Sequence, residues 1–185
     1  MYSRKLKIIL IILIGVIIIS LECQRSLIAG ETMVPHHIHI QKSEKLDSLT
    51  RECLDRYPDV PSISLKEFLK QQDLSEWVIL DVRSKSERDI SIIPGAIDAE
   101  TFDLKKDTFR NKKILVYCTI GCRSGAYGRV LQKKGYHAVN LRGGVLAWAF
   151  EGKLFVTREG HRTKKVHVYG EKWNVLPEGY EPIID

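Results

Sequence analysis

No part of the sequence combines clustered lysine and arginine with interleaved aromatics, so a formal charge of +6 leaves no footprint for nucleic acid. That excess is also divided. The first 25 residues hold Arg4, Lys5, Lys7 and Arg25 against Glu22, and the remainder carries 25 basic and 22 acidic side chains. The pairs Lys112-Lys113, Lys133-Lys134 and Lys164-Lys165 read as solvated edges. Prolines number only six and the apolar share is 44%, which argues for a folded core over a disordered chain. No internal repeat is visible, and 185 residues suit one ordinary domain with extensions. Metal ligands are sparse. The cluster His36-His37-x-His39 has no second ligand set nearby, so no metal site is expected.

Long hydrophobic runs are missing too, with one exception. Arg4-Lys5-Leu6-Lys7 leads into Ile8–Leu21, an uncharged stretch of 14 residues. As a helix it would cover about 21 Å, short of a hydrocarbon core of roughly 30 Å. This fits the apolar region of a secretory signal, or a short anchor with Lys7 snorkelling. Residues 1–23 are therefore expected to be a signal peptide or membrane anchor. Basic residues ahead of the run place the downstream chain outside the cytoplasm, in the periplasm or another extracytoplasmic space, with membrane association through this segment. Cys23 stands where a lipoprotein signal puts its lipidated cysteine, although Glu22 fits that site poorly. Ala29 suits a conventional cleavage, although Leu27 is large for it. Cleaved signal, lipid anchor and uncleaved helix all stay open.

Residues 24–61 read as a connector containing one helix. Leu46, Leu49, Cys53 and Leu54 recur at helical spacing between Lys42 and Arg56, and Pro58 and Pro61 close the segment. Cys53 on that stripe is expected to be a small packed apolar residue. From Ile63 onward short elements alternate. Ser64 can cap a helix with Glu67 three residues on. Apolar runs come next at Trp77–Val82, Ile114–Tyr117 and Ala138–Leu141. A helix precedes the last of these, with Tyr127, Val130 and Leu131 inward and Gly135 as its stop. Short apolar strands separated by amphipathic helices predict an α/β domain with a parallel sheet covered on both faces. Functional loops of such sheets lie at the carboxyl ends of the strands.

One loop has that position. Strand Ile114–Tyr117 runs into Cys118-Thr119-Ile120-Gly121-Cys122-Arg123-Ser124, where a helix begins. A tight loop entering a helix turns backbone N–H groups inward and makes a concavity for negative charge. A cysteine at its head feels those amides and the positive helix end, which favour the nucleophilic thiolate. Gly121 frees the curve, Arg123 offers a cation and a planar donor fork, and Ser124 offers a hydroxyl.

These residues resemble the rhodanese family. The loop Tyr117-Cys118-x-x-Gly121-x-Arg123-Ser124 is similar to that family's active-site loop. Asp81-Val82-Arg83 with Glu87, and Ile93-Pro94-Gly95-Ala96-Ile97, are similar to its first block; Gly135-Tyr136, Leu141-Arg142-Gly143-Gly144 and Ala147-Trp148 are similar to its closing block. The resemblance implies a five-stranded parallel α/β domain over 62–152 with helices on both faces; beyond it, 153–185 is expected to be an extension packed on the domain. It implies a sulfurtransferase in which Cys118, with Arg123, accepts a sulfane sulfur from a small anionic donor such as thiosulfate, forming a persulfide that a thiol or cyanide discharges. Thr119, Ile120, Gly121, Cys122 and Ser124 would bind substrate, and no metal or organic cofactor is required. Related phosphatases and arsenate reductases place five residues between Cys and Arg where this chain has four, a smaller ring that excludes tetrahedral phosphate.

Around the loop the expectations are more varied. Cys122 is either filler or a resolving cysteine that forms a disulfide with Cys118. Asp81, Arg83 and Glu87 read as a structural ion-pair set at the sheet edge, Arg142 as an extension of the positive field, Trp148 as core and His137 as a surface loop residue. Ser91-Ile92 replaces a frequent Gly-His and affects packing. In the tail, Val166–Tyr169 alternates like an edge strand, and Trp173 and Tyr180 can pack back on the domain. Two other readings stand beside the enzyme: a docking or sulfur-carrier module, and a thiol redox protein using Cys118 and Cys122.

Overall fold

Parallel strands buried on both faces need near-continuous apolar sequence, and the middle of this sheet has it. A computed structural model describes residues 37–184. The expected signal or anchor segment, Cys23, Ala29 and His36 lie outside them. Among the described residues no helix is long and apolar enough to cross a membrane. The chain divides into two compact units, Met1–Gln41 and Lys42–Asp185. Of the first, residues 37–41 are helical, with the His37 and Gln41 side chains 3.0 Å apart across one turn.

The second unit opens with the helix α1 (42–55). There follow β1 (Ser62–Ile63), α2 (Leu65–Leu69), β2 (Trp77–Asp81), α3 (Lys85–Ile90), β3 (Ile97–Asp98), α4 (Ala99–Leu104), β4 (Lys113–Tyr117), α5 (Cys122–Lys133), β5 (His137–Leu141) and α6 (Gly144–Phe150). The five strands form one parallel sheet in the order β1-β5-β4-β2-β3. His137 is exposed at the start of β5, not on a loop. Ser64 and Glu67 form the capping box that their spacing announces, and Ser84 and Glu87 form a second one at the start of α3.

Side chains alternate across the strands, so the sheet divides its core in two. Leu115 and Tyr117 of β4 join Leu46 and Leu49 of α1, Phe68 of α2 and Leu146 of α6. Ile114 and Val116 of the same strand join Leu80, Phe102 of α4 and Leu131 of α5. Helices therefore cover both faces. On α5 the expected inward set is corrected: Val130 is exposed, and the buried stripe is Ser124, Gly125, Gly128 and Leu131. Small residues at those positions let the helix approach Tyr57 and Val60, contacts that a stripe of large apolar residues would prevent.

The chain beyond α6 folds back onto the first core. Phe155, Val166, Val168, Val175 and Leu176 are buried in it, and Trp173 and Tyr180 pack against it half-buried. Here β6 (Phe155–Val156) pairs antiparallel with β7 (Arg162–Thr163), and β8 (Lys165–His167) pairs parallel with β9 (Glu181–Ile183). The segment expected to alternate does not, since Val166, His167 and Val168 are all buried. Ser91 ties this region to α3, its hydroxyl donating to the Lys165 carbonyl at 2.6 Å.

Candidate active site

The loop between β4 and α5 is fixed from three sides. Gly121, at the N-cap of α5 with φ of +116°, takes a conformation that side chains disfavour. The side-chain amide of Asn140 on β5 donates to the Gly121 carbonyl at 2.9 Å, and its oxygen accepts the Ser124 hydroxyl at 2.7 Å. From α6, the Val145 and Leu146 N–H groups donate to the carbonyls of Cys118 and Thr119 at 3.0 and 3.3 Å. Gly144 makes this approach possible: φ is +48°, and a Cβ there would run into the Cys118 carbonyl oxygen. Because C=O and N–H of one trans peptide point oppositely, the Thr119 and Ile120 amides are turned away from α6.

Within that curve the Gly121 N–H donates to Cys118 Sγ at 3.2 Å. The Ser124 hydroxyl lies 3.5 Å from the sulfur, but its single proton serves Asn140 at the shorter distance. Ser124 is thus chiefly a brace. Cys118 is only 1% exposed, yet it lines a pocket of about 100 Å³ with four other loop residues, Tyr169 and Trp173.

Arg123 also faces this pocket, but it is not a free anion clamp. Its two terminal nitrogens donate to the Glu87 carboxylate at 2.6 and 2.7 Å, and one reaches Thr119 Oγ1 at 3.0 Å. Burial works against the guanidinium charge, and the hydrogen bonds to Glu87 and the neighbouring Cys118 sulfur outweigh it, raising the pKa. Glu87 therefore moves out of the structural set expected from its sequence position. Asp81 and Arg83 alone form the buried pair, with Arg83 donating through Nε and Nη2 and the Tyr117 hydroxyl donating to Asp81 at 2.6 Å. Arg142 pairs with the exposed Glu67 at 2.8 Å and does not line the Cys118 pocket.

Cys122 is corrected as well. It is disulfide-bonded to Cys53 of α1, so it offers Cys118 no thiol, and Cys53 is a bonded partner instead of a plain apolar filler. The redox reading built on Cys118 and Cys122 loses its second cysteine. Among the described residues Cys118 is the free one.

Residues 64–151 match the rhodanese-like domain family. A sulfurtransferase of Allochromatium vinosum is 30% identical over 106 residues, 55% of this chain and 97% of that protein. This chain belongs to the rhodanese-like family. A tRNA uridine(34) hydroxylase of Bacillus velezensis is 33% identical over 93 residues, 45% of this chain but only 29% of the relative. A rhodanese-related protein of Thermoplasma volcanium has a solved structure, 28% identical, covering 52% of this chain and 97% of its own, with a TM-score of 0.45.

The rhodanese-like site has four residues that sequence reasoning left out of it. Glu87 had a signal: Ser84-x-x-Glu87 is a capping box on the loop after β2, at the same sheet end as Cys118. Asn140 had a weaker one, a polar residue in an apolar strand that burial obliges to hydrogen-bond. Tyr169 and Trp173 had none that tied them to the loop.

Glu87 gives the rhodanese-like domain a pH dependence. Burial alone would raise its carboxyl, but the Arg123 hydrogen bonds and charge, together with the Ser84 cap, hold it near about 2. The native state thus keeps this carboxylate charged where the unfolded chain, near the ordinary 4.5, already takes up a proton. Its contribution is complete above that value and is lost as pH falls toward about 2, at up to about 1.4 kcal/mol per pH unit. Urea midpoints at pH 5, 4 and 3 should therefore fall less steeply for Glu87→Gln than for the parent. Equal slopes would remove Glu87 from the acid response.

Proposed function

We propose that this sulfurtransferase-type domain moves sulfane sulfur from a donor such as thiosulfate to a thiophilic acceptor through a persulfide on Cys118. The Cys118 thiolate attacks the outer sulfur of thiosulfate, a sulfur–sulfur bond forms, the old one breaks, and sulfite leaves with its electron pair. Cyanide or a thiol then removes the terminal sulfur and returns the thiolate. The observation that carries this is the Gly121 N–H aimed at Cys118 Sγ, beneath the positive end of the 12-residue helix α5. Arg123 supports the anion electrostatically while Glu87 fixes its position. Loop residues Thr119, Ile120 and Cys122 supply walls, and Gly121 and Ser124 supply shape.

The Cys53–Cys122 disulfide and the apolar run Ile8–Leu21 together support a location outside the cytoplasm, where such bonds persist. Intact-mass analysis after incubation with thiosulfate tests the reaction: one added sulfur should map to the Cys118 peptide. Loading without thiocyanate formation on adding cyanide would favour a sulfur carrier, and no loading would remove the proposal.

A further inference from the structure

Tyr169 and Trp173 lie beyond the segment that matches the family, yet they line the pocket holding the Cys118 sulfur. Neither position is incidental. Tyr169 is, among the described residues, the one non-glycine residue with positive φ (70°), an unfavourable conformation for a bulky side chain. Its N–H donates to Nδ1 of the buried His167 at 3.1 Å, which holds it there. The side chain is left 59% exposed, with the Arg123 guanidinium 4.7 Å from its ring centre. Trp173 is anchored in a single 3-10 turn, Glu171–Trp173, and packs half-buried against the core.

Charge accounting then separates donors. Both terminal nitrogens of Arg123 are engaged by Glu87, and Tyr169 occupies its face. A dianion entering this pocket meets a cation whose charge is already shared with Glu87, and gains less for the water it gives up than a free guanidinium would return. A flat apolar group meets two aromatic rings. Tyr169 and Trp173 line this pocket of about 100 Å³ together with Cys118, so a donor delivering sulfur to Cys118 meets both rings.

We propose that Tyr169 and Trp173 form a specificity wall that selects singly charged organic donors carrying an apolar, flat body beside the sulfane sulfur, in preference to thiosulfate. This rests on the sulfur-transfer reading and narrows it. With an arenethiosulfonate, the Cys118 thiolate attacks the terminal sulfur. The bond from that sulfur to the sulfonyl sulfur breaks, the cysteine persulfide forms, and the arenesulfinate leaves with the electron pair.

The test uses the full chain and the rate at which Cys118 gains sulfur, with benzenethiosulfonate, methanethiosulfonate and thiosulfate as donors. The first two share charge and reacting group, so their ratio isolates the ring. In Tyr169→Ala the benzene-to-methane ratio should fall about tenfold from its parent value, as loss of one apolar contact surface does in a pocket, and Trp173→Ala should act in the same direction. Tyr169→Phe and Trp173→Phe keep a ring and should keep the ratio. An unchanged ratio in Tyr169→Ala, whose exposed side chain the core does not need, overturns the wall. So does a parent that loads thiosulfate faster than benzenethiosulfonate. Failure of every donor to load Cys118 would instead strike the underlying sulfur-transfer reading.

Discussion

Cys118→Ser protein should fold normally, gain no sulfur from any donor, and make thiocyanate at least about a thousandfold more slowly than the parent. The exchange removes one element and little else. Oγ can still accept the Gly121 N–H, and the residue is already 1% exposed in a loop tied down by Asn140 and α6. A hydroxyl, however, is a far weaker nucleophile toward sulfur than a thiol group, and oxygen forms no counterpart to a persulfide. Thermal melting together with donor-dependent thiocyanate release checks both halves. Parent-like turnover in the serine variant would exclude Cys118 as the sulfur acceptor, whatever the loop's geometry.

The second large effect concerns stability. Cys53 and Cys122 are 69 residues apart in sequence, so their bond closes a long loop in the unfolded chain. Chain-entropy estimates for a loop of this length give on the order of 4 kcal/mol, within the range typical for loss of a native disulfide. Cys53→Ser should therefore lower the melting temperature by on the order of 10 °C. Cys53 lies off the pocket, but its partner Cys122 lines it, so stability is read from melting alone and not from sulfur loading. The parent in dithiothreitol should melt where Cys53→Ser does, and that variant should ignore the reductant. Identical melting of parent and variant without reductant would show that the bond does not form. Cys122→Ser should lose the same stability, and any additional loss of sulfur loading would report the tether's hold on the start of α5.

Much of this architecture could be read before any coordinates. Trp77–Val82 and Ile114–Tyr117 are apolar with little interruption because both sides of a central parallel strand are covered, and the loop Cys118–Ser124 is contiguous. What escaped was what tertiary structure assembles. Val130 looked like core by residue type, whereas α5 buries glycines because Tyr57 and Val60 need the space. Glu87 and Arg123 are 36 residues apart, and only the shared end of the sheet brings them together. Cys53 looked apolar on its helical stripe, and it does pack there, but its partner arrives from another element. Tyr169 sits in a tail whose chemistry is invisible until β8 pairs with β9 and directs it toward the loop.

The bond between Cys53 and Cys122 also bears on how long a charged protein waits. With Cys122 occupied, a sulfur held on Cys118 meets no second thiol among residues 37–184. On the proposed sulfur transfer, discharge would then depend on a visitor from outside, and the loaded form would act as a reservoir. Opening that bond would place an internal recipient four positions along the chain, turning storage into leakage.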